Sequence, residues 1–110
     1  MSIPTVALSA VPDPLPERLV VLDVREQGEW DAGHVEGAVH VPLMDLPDRF
    51  SELSTEQTLV VCRVGGRSAQ ATLWLSRQGL EVVNLDGGML EWEAAGRAMV
   101  SENGRPPQVL

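Results

Sequence analysis

Four short apolar runs, separated by stretches of helical pattern, constrain the fold of this chain more than any other feature. Each run spans four residues, and the first three are more strongly apolar than the fourth. Short continuous apolar runs are typical of strands that are buried on both faces of a parallel sheet. The runs cover residues 19–22, 38–41, 58–61 and 81–84. We expect a further short strand around residues 3–7, followed by a proline-rich connector.

The segments between and after these runs predict helices. They cover residues 27–32, 43–53, 68–78 and 89–95. In the third helix, the expected cap is Gly66 or Ser68, and the expected packed face is formed by Ala69, Thr72, Leu73 and Ser76. Strands that alternate with helices imply right-handed βαβ units. The predicted fold class is therefore α/β, a three-layer α/β/α sandwich with a mainly parallel central sheet of about five strands.

The length of the chain, 110 residues with 44% hydrophobic residues, suits one domain with its own core. We assign this domain to residues 3–99. Residues 100–110 are polar, contain Pro106 and Pro107 and show no periodic pattern. We expect them to form a frayed C-terminal tail.

The net negative charge of the chain limits the kinds of partner that it can bind. Sixteen acidic residues against eight basic ones give a formal net charge of −8. Nucleic acid and anionic membrane surfaces are excluded as partners, because binding to them depends on basic residues. No apolar stretch approaches the roughly 18 residues of a membrane span, and the N-terminus lacks a signal-peptide pattern, so we expect a cytoplasmic protein.

The single cysteine, Cys62, follows the third apolar run directly. One cysteine excludes an internal disulfide, a CxxC redox pair and a multi-cysteine zinc site within the chain. The six residues after it, Arg63, Val64, Gly65, Gly66, Arg67 and Ser68, join the strand to the third helix. Loops at the carboxyl ends of parallel strands are where such folds bind ligands. An anionic thiolate is favoured there by backbone N–H groups, the helix N-terminus and two guanidinium groups. The alternative is an inert buried cysteine, which would not need such a glycine-rich, cationic loop.

Several motifs agree in order with one known family. They are Asp23-Val24-Arg25-Glu26, residues 29–38, the loop from Cys62 to Ser68, and residues 87–92 with Gly96. Over residues 5–99 the chain resembles a single-domain rhodanese-like sulfurtransferase. The resemblance implies that Cys62 takes a sulfane sulfur from a small anion such as thiosulfate, or from a persulfide. The cysteine persulfide then gives this sulfur to a thiol, cyanide or a sulfur-acceptor protein.

The resemblance also implies the roles of the site residues. The loop residues Arg63, Val64, Gly65, Gly66, Arg67 and Ser68 bind the substrate, with the two arginines on its oxyanion, and no metal or organic cofactor is needed. We expect Asp23 and Arg25 to support the site as an ion pair or by holding loops. His34 is expected to be a structural hydrogen-bond donor, because sulfur exchange by an ionised cysteine needs no base. Metal binding at His40, six residues after His34, is disfavoured because no third ligand is evident.

Three alternatives stay open beside this enzyme. One is a sulfur-relay or persulfide-binding module that receives sulfur from a dedicated partner and turns over little free thiosulfate. Another is phosphatase or arsenate-reductase chemistry, which is disfavoured because its loops resemble Cys-x5-Arg, whereas Arg67 comes one residue too early after Cys62. The last is a non-catalytic interaction domain. The donor, the acceptor, the pathway and the oligomeric state are not fixed by the sequence.

Overall fold

Five parallel strands form the centre of the fold in the computed structural model, which describes residues 2–110. The strands are β1 (Thr5–Val6), β2 (Val20–Asp23), β3 (Val39–His40), β4 (Thr58–Val61) and β5 (Val82–Leu85). Their order across the sheet is β1-β5-β4-β2-β3, and every neighbouring pair is parallel. The prediction of a five-stranded parallel sheet is confirmed. Val20 lies opposite Thr58 and Asp23 opposite Val61, so β2 and β4 end level with each other.

The sheet is covered on both faces, which makes the predicted three layers. Side chains alternate along the central strand β4, so Val61 belongs to one core cluster and Val60 to the other. The helices are α1 (Gln27–Ala32), α2 (Leu46–Arg49), α3 (Gly66–Arg77) and α4 (Gly88–Ala94). Trp92 of α4 packs with the Val61 cluster, whereas Leu75 of α3 packs with the Val60 cluster.

The single helix predicted over residues 43–53 is wrong. The segment contains a 3₁₀ turn at Leu43–Asp45, the short helix α2, and a second 3₁₀ turn at Phe50–Glu52. Pro47 explains the break, because it has no N–H to donate to the carbonyl of residue 43. A proline is tolerated only in the first turn of a helix, and α2 begins at the residue before it.

The start and the packed face of α3 also differ from the prediction. The N-cap is Gly65, whose φ of 108° lies in the left-handed region. The buried face consists of Ser68, Ala71, Thr72 and Leu75, which follow helical spacing. The predicted face was shifted because two of its true members are polar and Ser68 turns inward instead of capping the helix.

The frayed tail predicted for residues 100–110 is wrong as well. The backbone of Val100 exchanges two hydrogen bonds with His34, and the N–H of Gln108 donates to Ala32 O at 2.9 Å. Gly33 allows this close approach, since a Cβ there would come within 2.5 Å of the backbone oxygen of Gln108. The tail is thus held by main-chain hydrogen bonds that leave no periodic signal in the sequence. No helix within residues 2–110 is long and apolar enough to cross a membrane.

Candidate active site

Cys62 lies directly after β4, at the carboxyl edge of the sheet. Its side chain is only 1% exposed, so little of the sulfur is reachable from solvent in this structure. The N–H of Gly65 donates to Sγ at 3.1 Å, and Ser68 Oγ lies 3.3 Å from the same sulfur. Burial alone would also fit an inert cysteine. Polar hydrogens directed at the sulfur favour a negative charge on it.

The pKa of the Cys62 thiol reflects two opposing effects. Burial raises it, because a charged sulfur loses solvation, and this is the largest single contribution. Hydrogen bonds from the Ser68 hydroxyl and from the N–H groups of Ser68, Gly65 and Val64 lower it, and together they outweigh burial. The pKa of Cys62 is therefore below its ordinary value. The thiolate that the sequence predicts is favoured here by the loop backbone and one hydroxyl group.

The turn between β5 and α4 holds this loop in place. The N–H of Met89 donates to Cys62 O at 2.8 Å, and the N–H of Leu90 donates to Arg63 O at 3.0 Å. Gly88 makes the contact possible, because a Cβ on it would come within 2.5 Å of the Cys62 oxygen. Its φ of 56° is also in the left-handed region. In the sequence, Gly88 was recognised only as part of the motif at residues 87–92, and its role beside the loop was not predicted.

Arg67 is turned towards α1. Its Nη1 and Nη2 donate to the two carboxylate oxygens of Glu29 at 2.7 and 2.9 Å. These hydrogen bonds are the main reason why the pKa of Glu29 is lowered to about 2. They also raise the pKa of Arg67, to which the negative charge of Cys62 makes a smaller contribution. Arg67 is thus close enough for an electrostatic interaction with the Cys62 sulfur, but the Glu29 carboxylate already neutralises the charge of its guanidinium group.

Arg63 is turned away in a different direction. Its Nε donates to Leu110 O at 2.7 Å, so the last residue of the tail lies beside the loop. Val64, the next residue, is 54% exposed at the tip of the loop. The structure therefore brings Gly65 and Ser68 to the sulfur and gives both arginine side chains other partners. Their predicted contact with a donor anion stays a prediction.

Asp23 and Arg25 form an ion pair, as expected, and both side chains are fully buried. Arg25 Nε lies 2.9 Å from Asp23 Oδ1, and Nη2 lies 2.7 Å from Oδ2. Nη2 also donates to the carbonyl oxygen of Gly33 at 2.7 Å. The pair therefore ties the end of β2 to the end of α1, next to the tail.

The two histidines have structural partners. His34 Nδ1 and Nε2 lie 2.9 Å from Val35 O and from a Glu102 carboxylate oxygen, respectively. His40 Nε2 lies 2.7 Å from Arg25 O. Both rings stack on Trp30. Within residues 2–110 there is no group of three or more His, Cys, Asp or Glu residues that could hold a metal ion.

Asn84 on β5 belongs to the site, although sequence reasoning did not select it. Its Oδ1 accepts a hydrogen bond from Ser68 Oγ at 2.5 Å, and its Nδ2 faces Gly65 O at 3.4 Å. Both Asn84 and Ser68 are buried. An amide inside an apolar strand is a signal that could have found it, because buried polar groups are nearly always hydrogen-bonded.

The profile of the family described as "Rhodanese-like domain" matches residues 9–95, most of the chain. The chain belongs to the rhodanese-like family. It is 38% identical over 78 residues to the putative sulfurtransferase YtwF of Bacillus subtilis, covering 70% of this chain and 76% of that protein. It is 34% identical over 90 residues to a sulfurtransferase of Allochromatium vinosum, covering 80% of this chain and 84% of that one.

Two further comparisons concern a longer relative and a solved structure. The chain is 36% identical over 95 residues to the putative sulfur carrier protein YrkF of Bacillus subtilis; the match covers 83% of this chain but 51% of that protein. A rhodanese-related protein from Thermoplasma volcanium superimposes with a TM-score of 0.83 at 28% identity, covering 88% of this chain and 97% of that one. The predicted family and three-layer fold are confirmed.

Proposed function

We propose that this rhodanese-like protein is a sulfurtransferase in which Cys62 carries a sulfane sulfur as a persulfide. The observation that carries the proposal is the set of hydrogen-bond donors around one sulfur, Gly65 N–H at 3.1 Å and the Ser68 hydroxyl at 3.3 Å. They lower the pKa of the Cys62 thiol despite its burial. The relatives named sulfurtransferases support the same reaction class.

The reaction consists of two displacements at sulfur. In the first, the Cys62 thiolate attacks the outer sulfur of thiosulfate, the S–S bond of thiosulfate breaks, and sulfite leaves with the electron pair. In the second, an acceptor thiolate attacks the outer sulfur of the persulfide, and the electron pair of the S–S bond returns to Cys62. Both steps use only sulfur and thiol groups, so we propose no metal or organic cofactor.

The proposed roles of the other residues follow from their positions. The backbone of residues 63–68 forms the cradle for the negative charge on sulfur, with Ser68 adding its hydroxyl. Arg63 and Arg67 bind the oxyanion of the donor, for which each must exchange its present partner. Asp23 and Arg25 support the site by fixing the edge of the sheet.

The hydrogen-bond partners of Arg63 and Arg67 favour a second candidate function, a sulfur relay. Arg67 is paired with Glu29 and Arg63 donates to Leu110 O, so neither guanidinium group is held ready for a free dianion. A relay module would instead receive sulfur from the persulfide of a donor protein, which brings no such charge. The relative named a putative sulfur carrier protein is consistent with this role. We propose thiosulfate turnover as the leading activity and relay as the alternative.

The test combines a steady-state assay with thiosulfate and cyanide and an intact-protein mass. The enzyme predicts turnover that is lost in Cys62→Ser, together with an added mass of ~32 Da for one sulfur atom. A relay predicts the added sulfur with little turnover. Because Cys62 is the only cysteine, Cys62→Ser is the matched control for the position of the adduct. The absence of both signals would support an interaction domain and overturn the proposal.

A phosphoester assay run beside it tests phosphatase chemistry. We expect no hydrolysis, because Arg67 follows Cys62 after four intervening residues and is paired with Glu29. Hydrolysis at a rate comparable to sulfur transfer would contradict this.

We also propose a cytoplasmic location, since a lone reactive thiol persists best in a reducing compartment. Cell fractionation tests it.

A further inference from the structure

The Ser68 hydroxyl group has one proton and two possible acceptors. Its Oγ lies 2.5 Å from Asn84 Oδ1 and 3.3 Å from Cys62 Sγ. Ser68 is fully buried and Asn84 is 5% exposed, so solvent does not readily replace either partner. A hydroxyl donates one hydrogen bond at a time, so the amide oxygen and the sulfur compete for the same proton.

The orientation of the Asn84 amide decides what this competition does. A separation of 2.5 Å fits O–H···O geometry but is too short for an ordinary N–H···O bond. The amide nitrogen, on the other side, faces Gly65 O at 3.4 Å. Asn84 therefore presents an acceptor to Ser68 and does not supply it with a proton.

From this geometry we infer that Asn84 is a positioning residue that holds the Ser68 proton while Sγ is uncharged and releases it when negative charge develops on Sγ. When the thiol is neutral, its S–H can donate to Ser68 Oγ while Ser68 donates to Asn84. When the thiol is ionised, Ser68 rotates and donates to the sulfur, and the Asn84 oxygen loses its partner.

The inference rests on the proposed function for its role in sulfur transfer. The first displacement leaves the outer sulfur of the persulfide as S⁻, and this sulfur then takes up a proton from solvent. In the resulting Cys62 persulfide, with the outer sulfur as S–H, Sγ is uncharged, so the Ser68 proton stays with Asn84. When an acceptor thiolate attacks the outer sulfur, that sulfur leaves with its proton and the electron pair remains on Sγ. Ser68 then turns towards Sγ, so its stabilisation is greatest when charge appears in the transition state.

Other charged groups lie on the elements around Cys62. A test of Asn84 must leave their charges unchanged, because each of them can also shift the pKa of the thiol. They are the ion pairs Asp23–Arg25 and Glu29–Arg67, together with Arg63 in the loop, Asp86 after β5 and Glu91 on α4. Substitutions of the uncharged Asn84 by Ala or Leu change none of these charges. Asn103, an exposed residue in the tail, offers the matched control.

The experiment measures the rate of iodoacetamide alkylation of the single cysteine against pH. We expect Asn84→Ala and Asn84→Leu to shift the alkylation profile to lower pH, because the Ser68 proton becomes free for the sulfur. Below the midpoint of the profile, the rate should rise by roughly fivefold, the factor that corresponds to the typical net value of one neutral hydrogen bond. Asn84→Asp should shift the profile to higher pH, because a carboxylate holds the proton and adds negative charge. Asn103→Ala and Asn103→Asp should leave the profile unchanged.

A double variant separates this mechanism from general disturbance of the site. Ser68→Ala should shift the profile to higher pH and abolish the effect of Asn84→Ala, so that the double variant behaves like Ser68→Ala alone. A shift of Asn84→Ala and Asn84→Leu to higher pH, or an undiminished effect in the Ser68→Ala background, would overturn the inference. Circular dichroism identifies any variant that does not fold. If the Asn84→Ala and Asn84→Leu variants do not fold, Asn84→Asp replaces them, because it preserves the shape of the side chain. It is then compared in the wild-type and Ser68→Ala backgrounds.

Failure of this inference is distinguishable from failure of the proposed function. Alkylation needs no sulfur donor, so its profile reports on Ser68 and Asn84 even if the protein transfers no sulfur. A protein that accepts no sulfur from thiosulfate but shows the expected profiles would lose the proposed function and keep the proton arrangement.

Discussion

Glu29 and Arg67 join α1 to α3, the helix that follows the Cys62 loop, through two parallel hydrogen bonds of 2.7 and 2.9 Å. The pair is only partly exposed, with 34% of the Arg67 side chain and 19% of the Glu29 side chain accessible. A donor anion that uses Arg67 must therefore compete with a carboxylate of the protein itself. Substitutions in the Glu29–Arg67 pair can therefore distinguish a protein that uses free thiosulfate from one that receives sulfur from a donor protein.

Glu29→Gln should make the protein a better user of free thiosulfate. The neutral amide binds Arg67 more weakly than the carboxylate, so KM for thiosulfate should fall by roughly fivefold. If the wild-type protein does not turn over thiosulfate, Glu29→Gln should give it measurable turnover. Steady-state kinetics measure this, with Glu56→Gln as control because Glu56 is exposed at the amino edge of β4. A higher KM would mean that Glu29 holds Arg67 in its working position.

The same pair should make stability depend on acidic pH. The pKa of Glu29 is lowered from 4.5 to about 2, so its ionised form is bound more tightly in the folded state. The resulting stabilisation is complete above pH 4.5 and is lost as pH falls towards 2. After allowance for solvent screening we expect about 1 kcal/mol. Urea unfolding at both ends of this range, in wild type and Glu29→Gln, gives the value as a double difference. Equal pH dependence in the two proteins would contradict the assignment.

Gly88→Ala should disturb the loop that follows Cys62 directly. A Cβ at this position would come within 2.5 Å of Cys62 O and 2.7 Å of Arg63 O, and the residue also has a positive φ. We expect a loss of roughly 2–4 kcal/mol in the free energy of unfolding and slower alkylation of Cys62. Gly96→Ala is the matched control, because Gly96 has a φ of 70° but open space around it. Equal losses in the two variants would show that the loop yields at little cost.

The buried pair of Asp23 and Arg25 should be sensitive to the loss of one partner. Asp23→Ala leaves a guanidinium group buried without its counter-charge, which typically costs about 3–5 kcal/mol. Replacing both residues together, Asp23→Leu with Arg25→Met, should cost less. Urea unfolding measures both, and Glu52→Ala in the exposed pair with Arg49 should change stability by less than about 0.5 kcal/mol. A double variant that is as unstable as Asp23→Ala would contradict this account.

The parts of the structure that follow from local pattern were predictable. The run at residues 58–61 has the same bounds as β4, Thr58–Val61, because a strand buried on both faces leaves an uninterrupted apolar signal. Residues 27–32 likewise match α1. The position of Cys62 at the end of β4 follows from the order of strand and cysteine. The two glycines after it indicated a tight turn whose backbone N–H groups converge on the sulfur, and Gly65 supplies one of them.

The parts that depend on distant contacts were not predictable. Arg67 pairs with a carboxylate 38 positions away, and nothing in either segment specifies the other. The tail is held by backbone hydrogen bonds at Val100 and Gln108, which do not depend on side-chain identity and therefore leave no pattern in the sequence. The face of α3 was misplaced because Ser68 is buried for its hydrogen bonds, whereas pattern reasoning looks for apolar side chains.

The path of the tail has a practical consequence for handling this protein. All five strands run in one direction, so β1 begins at the edge of the sheet opposite to Cys62, whereas Leu110 lies against Arg63. An affinity label or a surface linkage attached after Leu110 would start beside the reactive thiol. One attached ahead of β1 would leave that approach clear.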